Sequence, residues 1–395
     1  SNDLECLVEE QAATPFSPRC QKDLIEETLF HRRRDLFSSL DLVFFDTTSI
    51  YFEGEGGETL GQLGHSKDHR PDRKQMIVGA VVAAEGHPIC CEMWPGNTTD
   101  VKTLIPLVDR MQKRFGIGRA CVVADQGMMS REAVEALEER SVEFILGARM
   151  RVQKEISEAV LSAPGRFTKV TSKRQGKSHP SPLKVKDVRV EDRRYVICVN
   201  EDEVKKDALD REAMVDSLRK KLRQGAKSLV GNRGYRRYVK AEPGALEIDE
   251  AKIAQEARFD GTWVLRTNTS LPAAEVALRY KQLWVVEQMF RSIKSLLSTR
   301  PIFHRSDAAI RGHVFCSFLA LILRKELMEK LEAAGVDAEW ADVLRDLHSV
   351  QLIDVQKGDQ LFQLRTTAQG QSGKIFQAVG VALPPVVRNL VNTAT

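Results

Sequence analysis

The chain has no CxxC pair and no cysteine–histidine spacing suited to zinc. Its seven cysteines are dispersed, with Cys90-Cys91 a plain adjacent pair. That pattern excludes a zinc ribbon and a disulfide framework, and it points to reduced thiols in a cytoplasmic protein. Long hydrophobic runs are also missing. The longest apolar helix candidate, Val314 to Leu323, is too short for a bilayer and runs into Arg324-Lys325-Glu326, so it reads as a core helix. No secretory signal opens the chain and no internal repeat is visible. The first residues are Ser1-Asn2 rather than methionine, which reads as a tag remnant on a chain that has lost an N-terminal segment. A net charge of +4 is too small to mark a nucleic-acid binder by itself, so the distribution of charge matters more than its sum.

What is present fits an ordinary globular protein: 395 residues, 42% hydrophobic and 29% charged, enough for two or three domains and a large core. Two short apolar runs stand out, Leu42-Val43-Phe44-Phe45 and Cys121-Val122-Val123-Ala124, each followed by an aspartate, Asp46 and Asp125. Runs of this length and composition read as strands buried on both faces, so each aspartate is expected to emerge at a strand end, able to reach solvent or a metal. A separate short strand is expected at Ser49 to Phe52, then a polar, glycine-rich loop from Glu53 to Lys74.

Before the first of these strands, a helix is expected from Lys22 to Phe37. After the loop, strands at Gln75 to Ala84 and Pro88 to Met93 form a hairpin about Glu85-Gly86. A helix capped by Thr99 or Asp100 carries Val101, Leu104, Ile105, Val108, Met111 and Phe115 at helical period. The second aspartate strand, a helix from Ser130 to Arg140 and a strand at Phe144 to Leu146 complete a mixed α/β layer. From 151 to 268 the texture changes to shorter apolar runs and more charge, as in an insertion. A long helix is then expected from Pro272 to about Leu297. The expected organisation is a helical N-terminal segment over 1–39, a core over 40–150, a basic α+β insertion over 151–268, the second part of the core over 269–335 and a C-terminal segment over 336–395.

On that long helix Tyr280, Glu287 and Lys294 recur every seven residues, nearly two full turns, which predicts one shared face with about 10 Å between neighbours. Glu287 lies among Leu283, Trp284, Val285, Val286, Met289 and Phe290, and a carboxylate on so apolar a helix wants a partner. Three carboxylates from separate elements suit a hard divalent cation such as Mg2+. The tyrosine and the lysine suit a phosphate. Singly, Asp46 and Asp125 are ordinary strand-end residues. His65 and His69 lack companions for a zinc site, and Lys67, Arg70 and Arg73 beside them read as phosphate-facing cations on a solvated loop. Basic runs at Lys169 to Lys186, Arg219 to Arg223 and Arg233 to Lys240, the last interleaving Tyr235 and Tyr238 with Arg233, Arg236 and Arg237, read as a surface for the DNA backbone.

Asp46 in Phe-Phe-Asp-Thr-Thr, Asp125 in Val-Val-Ala-Asp-Gln-Gly, and Glu287 between Tyr280 and Lys294 resemble the DDE transposases of bacterial insertion sequences. The match is to the insertion-sequence-four-like group with a Tyr/Arg/Glu/Lys signature. One position departs, since the arginine slot holds Leu283, with Arg279 and Arg291 as nearby substitutes. The resemblance implies an RNase H-like mixed-sheet core interrupted by an insertion domain. It further implies Asp46, Asp125 and Glu287 as catalytic metal ligands for Mg2+, with Mn2+ able to substitute. Tyr280, Lys294 and Arg291 would lie along DNA near the cleaved end, and Trp263 or Trp284 would stack a displaced base, although a core tryptophan is the commoner role for each. Double-stranded element ends and target DNA would be the substrates, handled by a homodimer on DNA in the bacterial cytoplasm at the nucleoid. A stand-alone nuclease of the same fold and a non-catalytic DNA-binding remnant remain alternatives. A glycosidase with paired acids ranks below both, because it leaves the basic segments unexplained.

Overall fold

The computed structural model describes residues 20–33, 42–116, 121–170, 183–223, 237–242, 245–357 and 360–390. Within them the chain forms two compact units, 1–315 and 316–395.

The first unit opens with α1 (Gln21–Arg33) and β1 (Leu42–Tyr51). β1 does not stop at Asp46. Residues Val43 to Tyr51 pair continuously with β2 (Gln75–Ala83), so the expected second strand at Ser49 is the far half of the same one. β2 turns into β3 (Pro88–Pro95), α2 (Val101–Phe115) follows, and β4 (Cys121–Ala124) lies parallel to β1. After α3 (Arg131–Glu139), β5 (Glu143–Gly147) pairs parallel to β4. Next come β6 (Thr168–Val170), β7 (Leu183–Val190), β8 (Arg193–Asn200), α4 (Glu201–Arg223), the hairpin of β9 (Val239–Glu242) with β10 (Ala245–Ile248), α5 (Glu250–Ala257) and β11 (Thr262–Thr267). One mixed sheet results, in the order β3-β2-β1-β4-β5-β11-β8-β7-β6. The charged stretch after residue 151 thus extends the same sheet through β6, β7, β8 and β11.

Alternation along β1 sorts its side chains. Val43 and Phe45 join a core built with Leu104, Leu107, Val108 and Met111 of α2 and Val134 and Leu137 of α3. Phe44, wholly buried, lies on the opposite face, and burying an aromatic of this size contributes about 2–3 kcal/mol. Asp46 shares the face of Phe44, whereas Thr47 shares that of Phe45. α2 carries its apolar residues on one stripe and ends at Gly116, whose φ of 60° gives the left-handed turn that closes the helix. α3 begins at Ser130, whose hydroxyl accepts from the Ala133 amide at 3.0 Å.

The expected long helix is broken. It runs as α6 (Ala273–Lys281), a turn at Gln282 and Leu283, α7 (Trp284–Arg291) and a π-helical turn at Ser292–Leu296. α7 packs on β1 and β2, and α6 on β4, β5, β7 and β8. The second unit takes the larger part of α8 (Asp307–Ala333), which starts in the first, then α9 (Trp340–His348), α10 (Ser372–Ala378) and a three-stranded sheet of β12 (Leu352–Lys357), β13 (Gln360–Arg365) and β14 (Val387–Leu390). Leu331, Val343 and Ile375 form its core. No helix among the described residues is long and apolar enough to cross a membrane.

Candidate active site

Parallel pairing of β1 with β4 sets Phe45 beside Ala124. Asp46 and Asp125 are the next residue of each chain, so the two carboxylates leave neighbouring strands at the level where β4 stops and β1 continues. Asp46 is half-buried, and its carboxyl is pushed up to about 7. Burial is the main cause, and the carboxylates of Asp125 and Asp100 add to it; Lys67 and the Thr47 amide, which donates to Asp46 Oδ1 at 2.7 Å, oppose it.

Asp125 accepts from the Tyr280 hydroxyl, 2.8 Å to Oδ1. Burial, then the charge of Asp125, pushes the Tyr280 phenol well above its ordinary range, so it remains a donor. Gly147 at the end of β5 makes room for this contact: a β-carbon there would lie 2.5 Å from Tyr280 Oη and 2.9 Å from the Gln126 amide nitrogen. The loop after Asp125 is tied down by Arg149, which donates to the carbonyls of Gln126 at 2.9 Å and Gly127 at 2.8 Å.

On the other face of β1, Asp100 stands at the N-cap of α2 without capping it. Its side chain turns to the site, accepting from Thr47 Oγ1 at 2.6 Å and pairing with Lys67 Nζ at 3.2 Å. Lys67 also donates to the Thr47 carbonyl at 2.8 Å and to Thr47 Oγ1 at 2.9 Å. Lys67 is therefore a member of the site rather than a solvated loop cation. Arg70 is spent on Asp72, at 3.0 and 2.9 Å, and lies over the Tyr51 ring, while Arg73 pairs with Glu53 at 2.9 Å.

Glu287 sits in the first turn of α7, exposed. It is not drawn into one tight cluster with Asp46 and Asp125: among the described residues, the only three carboxylates whose ligand atoms all lie within 4.8 Å of one another are Asp23, Glu26 and Glu92. Lys22, Arg110 and Arg114 thread that buried group with ion pairs of 2.8 to 3.8 Å, which makes it an internal salt-bridge network in place of a metal site.

Lys294 donates to Asp68 Oδ1 at 2.7 Å. Tyr280 and Lys294 thus end on different carboxylates, and the turn at 282–283 replaces the single straight stripe expected for them. Arg291 is exposed, and Arg279 is held by Glu275 at 2.6 Å. Leu283 is buried at the entry to α7. Trp263 is half-buried under the Lys281 ammonium, 5.7 Å from the ring centre, and Trp284 is 42% exposed, unlike the core role expected for it. Arg233, Arg236 and Tyr235 lie outside the described residues. Arg237 is exposed and reaches Glu256 at 3.6 Å. Tyr238 is a correction: it is buried against Leu218 in a small core and offers no surface to DNA. His65 and His69 are both exposed and join no cluster. Sequence reading missed Asp100, Asp68 and Arg300. Only Asp100 carried a signal, as a helix-cap candidate.

The mixed sheet thus brings two carboxylates, Asp46 and Asp125, out side by side from adjacent parallel strands. A family model described as a transposase DDE domain matches residues 38–323, most of the chain, and the chain belongs to that family. No curated protein matches it in sequence. Among solved structures it is similar to a piggyBac transposase synaptic complex with hairpin DNA, at 10% identity and a TM-score of 0.38, over 79% of this chain and 52% of that one. It is also similar to a Mos1 transposase paired-end complex with the left transposon end (17% identity, TM-score 0.20, 31% of this chain and 40% of that one) and to a Mos1 mariner paired-end complex with Mn (20%, 0.20, 31% and 40%). The chain spans about half the length of the piggyBac chain.

Proposed function

We propose that this chain is the catalytic core of a DNA transposase, cutting phosphodiester bonds at element ends and joining them to target DNA. The observation that carries the reading is the side-by-side exit of Asp46 and Asp125 from β1 and β4 within a chain of the DDE family. The strand order β3-β2-β1-β4-β5, antiparallel in its first three members and parallel in the rest, supports an RNase H-like core. Residues 151–268 are read as its insertion domain.

The donor chemistry fits a hard divalent ion, Mg2+ or Mn2+. Asp46 is a half-buried carboxylate that feels the charges of Asp125 and Asp100 against that of Lys67, so the site favours a ligand of positive charge. Asp46 and Asp125 would hold the ion, with Glu287 joining from α7. When bound, it supplies activation of the attacking hydroxyl and neutralisation of charge on the scissile phosphate. The protein's own residues do the remaining work. Tyr280 fixes one oxygen of Asp125 and thereby orients the other. Lys67 and Thr47 hold Asp100 behind β1 and limit the repulsion felt by Asp46. Lys294, Arg291 and the exposed Trp284 would lie along the DNA, with Trp263 and Arg70 at its margin and Arg233, Arg236 and Arg237 contacting its backbone from the insertion. Pairing two element ends calls for a homodimer on DNA, acting in the bacterial cytoplasm at the nucleoid.

The test is cleavage and joining by the full chain on a plasmid bearing its element ends, with Mn2+, against Asp46→Asn and Glu287→Gln. Cutting and joining that both variants lose supports the reading. Cutting without joining turns it into a nuclease, and binding without cutting into a DNA-binding remnant.

A further inference from the structure

Asp68 is a buried carboxylate, its side chain 3% exposed, and one of its oxygens serves two cations. Lys294 Nζ lies 2.7 Å and Arg300 Nη1 2.5 Å from the same Oδ1, while Oδ2 is buried with no hydrogen-bond partner among the described residues. Two positive charges on one negative charge leave a surplus of one in a poorly solvated place. Burial first, then Arg300 and Lys67, work against the ammonium of Lys294, and the net effect holds it below its ordinary range despite Asp68. An arrangement of this kind is stabilised by an incoming anion.

The guanidinium is fixed in place. Ile302, two residues on, donates its amide to the Tyr51 carbonyl at 3.2 Å and accepts from the Glu53 amide at 3.0 Å, which fastens this segment to the end of β1. Thr299 donates to the Ile293 carbonyl at 3.2 Å, and its own carbonyl lies 3.1 Å from His313 Nε2. Arg300 is thus held between the strand that carries Asp46 and the helical turn that carries Lys294. Its side chain is 32% exposed, so donors other than Nη1 can reach a ligand. Of the arginines on the neighbouring helices, Arg279 is engaged by Glu275 and Arg291 is exposed on α7.

We propose that Arg300 and Lys294 form a two-cation clamp for a DNA phosphate, with Asp68 as the positioning residue that holds both side chains against β1. This deepens the transposase reading and rests on it. The guanidinium presents paired N–H groups to the phosphate oxygens, as its planar fork allows. The unused Oδ2 of Asp68 lets one cation shift across the carboxylate as the phosphate arrives, so that neither loses its counter-charge.

The experiment is binding of the full chain to a short fluorescein-labelled DNA duplex across a salt series, with wild type, Arg300→Gln and Arg300→Lys. Loss of one phosphate contact lowers the slope of log affinity against log salt by about 0.9. Arg300→Gln is expected to show that loss with binding weakened several-fold at low salt, and Arg300→Lys to recover the slope. A wild-type slope in Arg300→Gln overturns the clamp and leaves the transposase reading standing. A wild-type chain that binds no DNA overturns both. A measurement on unaltered protein guards against a misfolded variant: phenylglyoxal labelling read by mass spectrometry should show Arg300 protected by saturating duplex while Arg131, 85% exposed on α3, stays reactive. Equal labelling of Arg300 with and without DNA overturns the clamp.

Discussion

Two acidic clusters lie within the first unit, and their surroundings set them to opposite ends. Asp23, Glu26 and Glu92 are tightly gathered and fully buried, yet Lys22, Arg110 and Arg114 match them charge for charge. Burial alone would raise Asp23 and Glu92, but those three cations outweigh it and hold both below the ordinary carboxylate range. Asp46, Asp125 and Asp100 are more open, and the charge of Lys67 does not outweigh burial at Asp46, which rises to about 7. The number of carboxylates is the same. What differs is the count of fixed cations, and that decides whether a cluster is closed or still has charge to give to a ligand.

Breaking the closed cluster carries the largest expected effect. Glu92→Ala leaves Arg110 and Arg114 short of a partner in a buried site and should cost about 3–5 kcal/mol. Urea unfolding checks it, and a loss under about 1 kcal/mol would mean that the network is only loosely formed. Asp23 and Glu92 are depressed in the folded state, so their contribution is present above the unfolded carboxylate range and is lost as pH falls below it through their folded values.

Asp46 gives the opposite sign. Folded, it keeps its proton up to about pH 7; unfolded, it loses it near 3.8. Between those values the folded state holds more protons, so this group's contribution is full below the unfolded value and is lost as pH rises toward 7. Asp46→Asn should therefore stabilise the metal-free chain at pH 8, by on the order of 3 kcal/mol, and abolish the rise in wild-type stability on acidification to pH 5.5. Asp23 and Glu92, held below the ordinary carboxylate range, stay ionised across that window and do not mask it. Mn2+ affinity of the wild type should fall about tenfold for each pH unit below 7, since ion and proton compete for one carboxylate. Calorimetry in buffers of different ionisation heat would detect the released proton, and a pH-independent affinity with no proton released would contradict the shift.

The strands that carry Asp46 and Asp125 were legible because hydrophobic runs of β-branched and aromatic residues are local signals. Tyr280 and Lys294 stood out by their spacing, but their partners, Asp125 and Asp68, did not. The continuity of β1 through Asp46 was hidden, because the stretch from Ser49 reads as a strand of its own and only pairing with β2 joins it to Leu42–Phe45. Asp100 meets Thr47 across 53 residues and Lys294 meets Asp68 across 226, distances at which spacing carries no information. The turn at Gln282 and Leu283 has neither glycine nor proline to announce it. It separates α6, packed on β4 and β5, from α7, packed on β1 and β2, so tertiary contacts sit on either side of it.

The smaller predictions probe how tightly the open cluster is held. Gly147→Ala places a β-carbon against Tyr280 Oη and the Gln126 amide and should cost about 1–3 kcal/mol. Tyr280→Phe removes one hydrogen bond to a carboxylate and should cost about 1.5 kcal/mol. If the alanine acts chiefly by pushing the hydroxyl off Asp125, the two changes share one cause. The double variant should then lose less than the sum of the singles, by about 0.5–1 kcal/mol, because phenylalanine has no oxygen for the new methyl to strike. Strict additivity in urea unfolding would place the cost of Gly147→Ala on the Gln126 backbone, making the loop after Asp125, and not Tyr280, the part of the site that needs glycine.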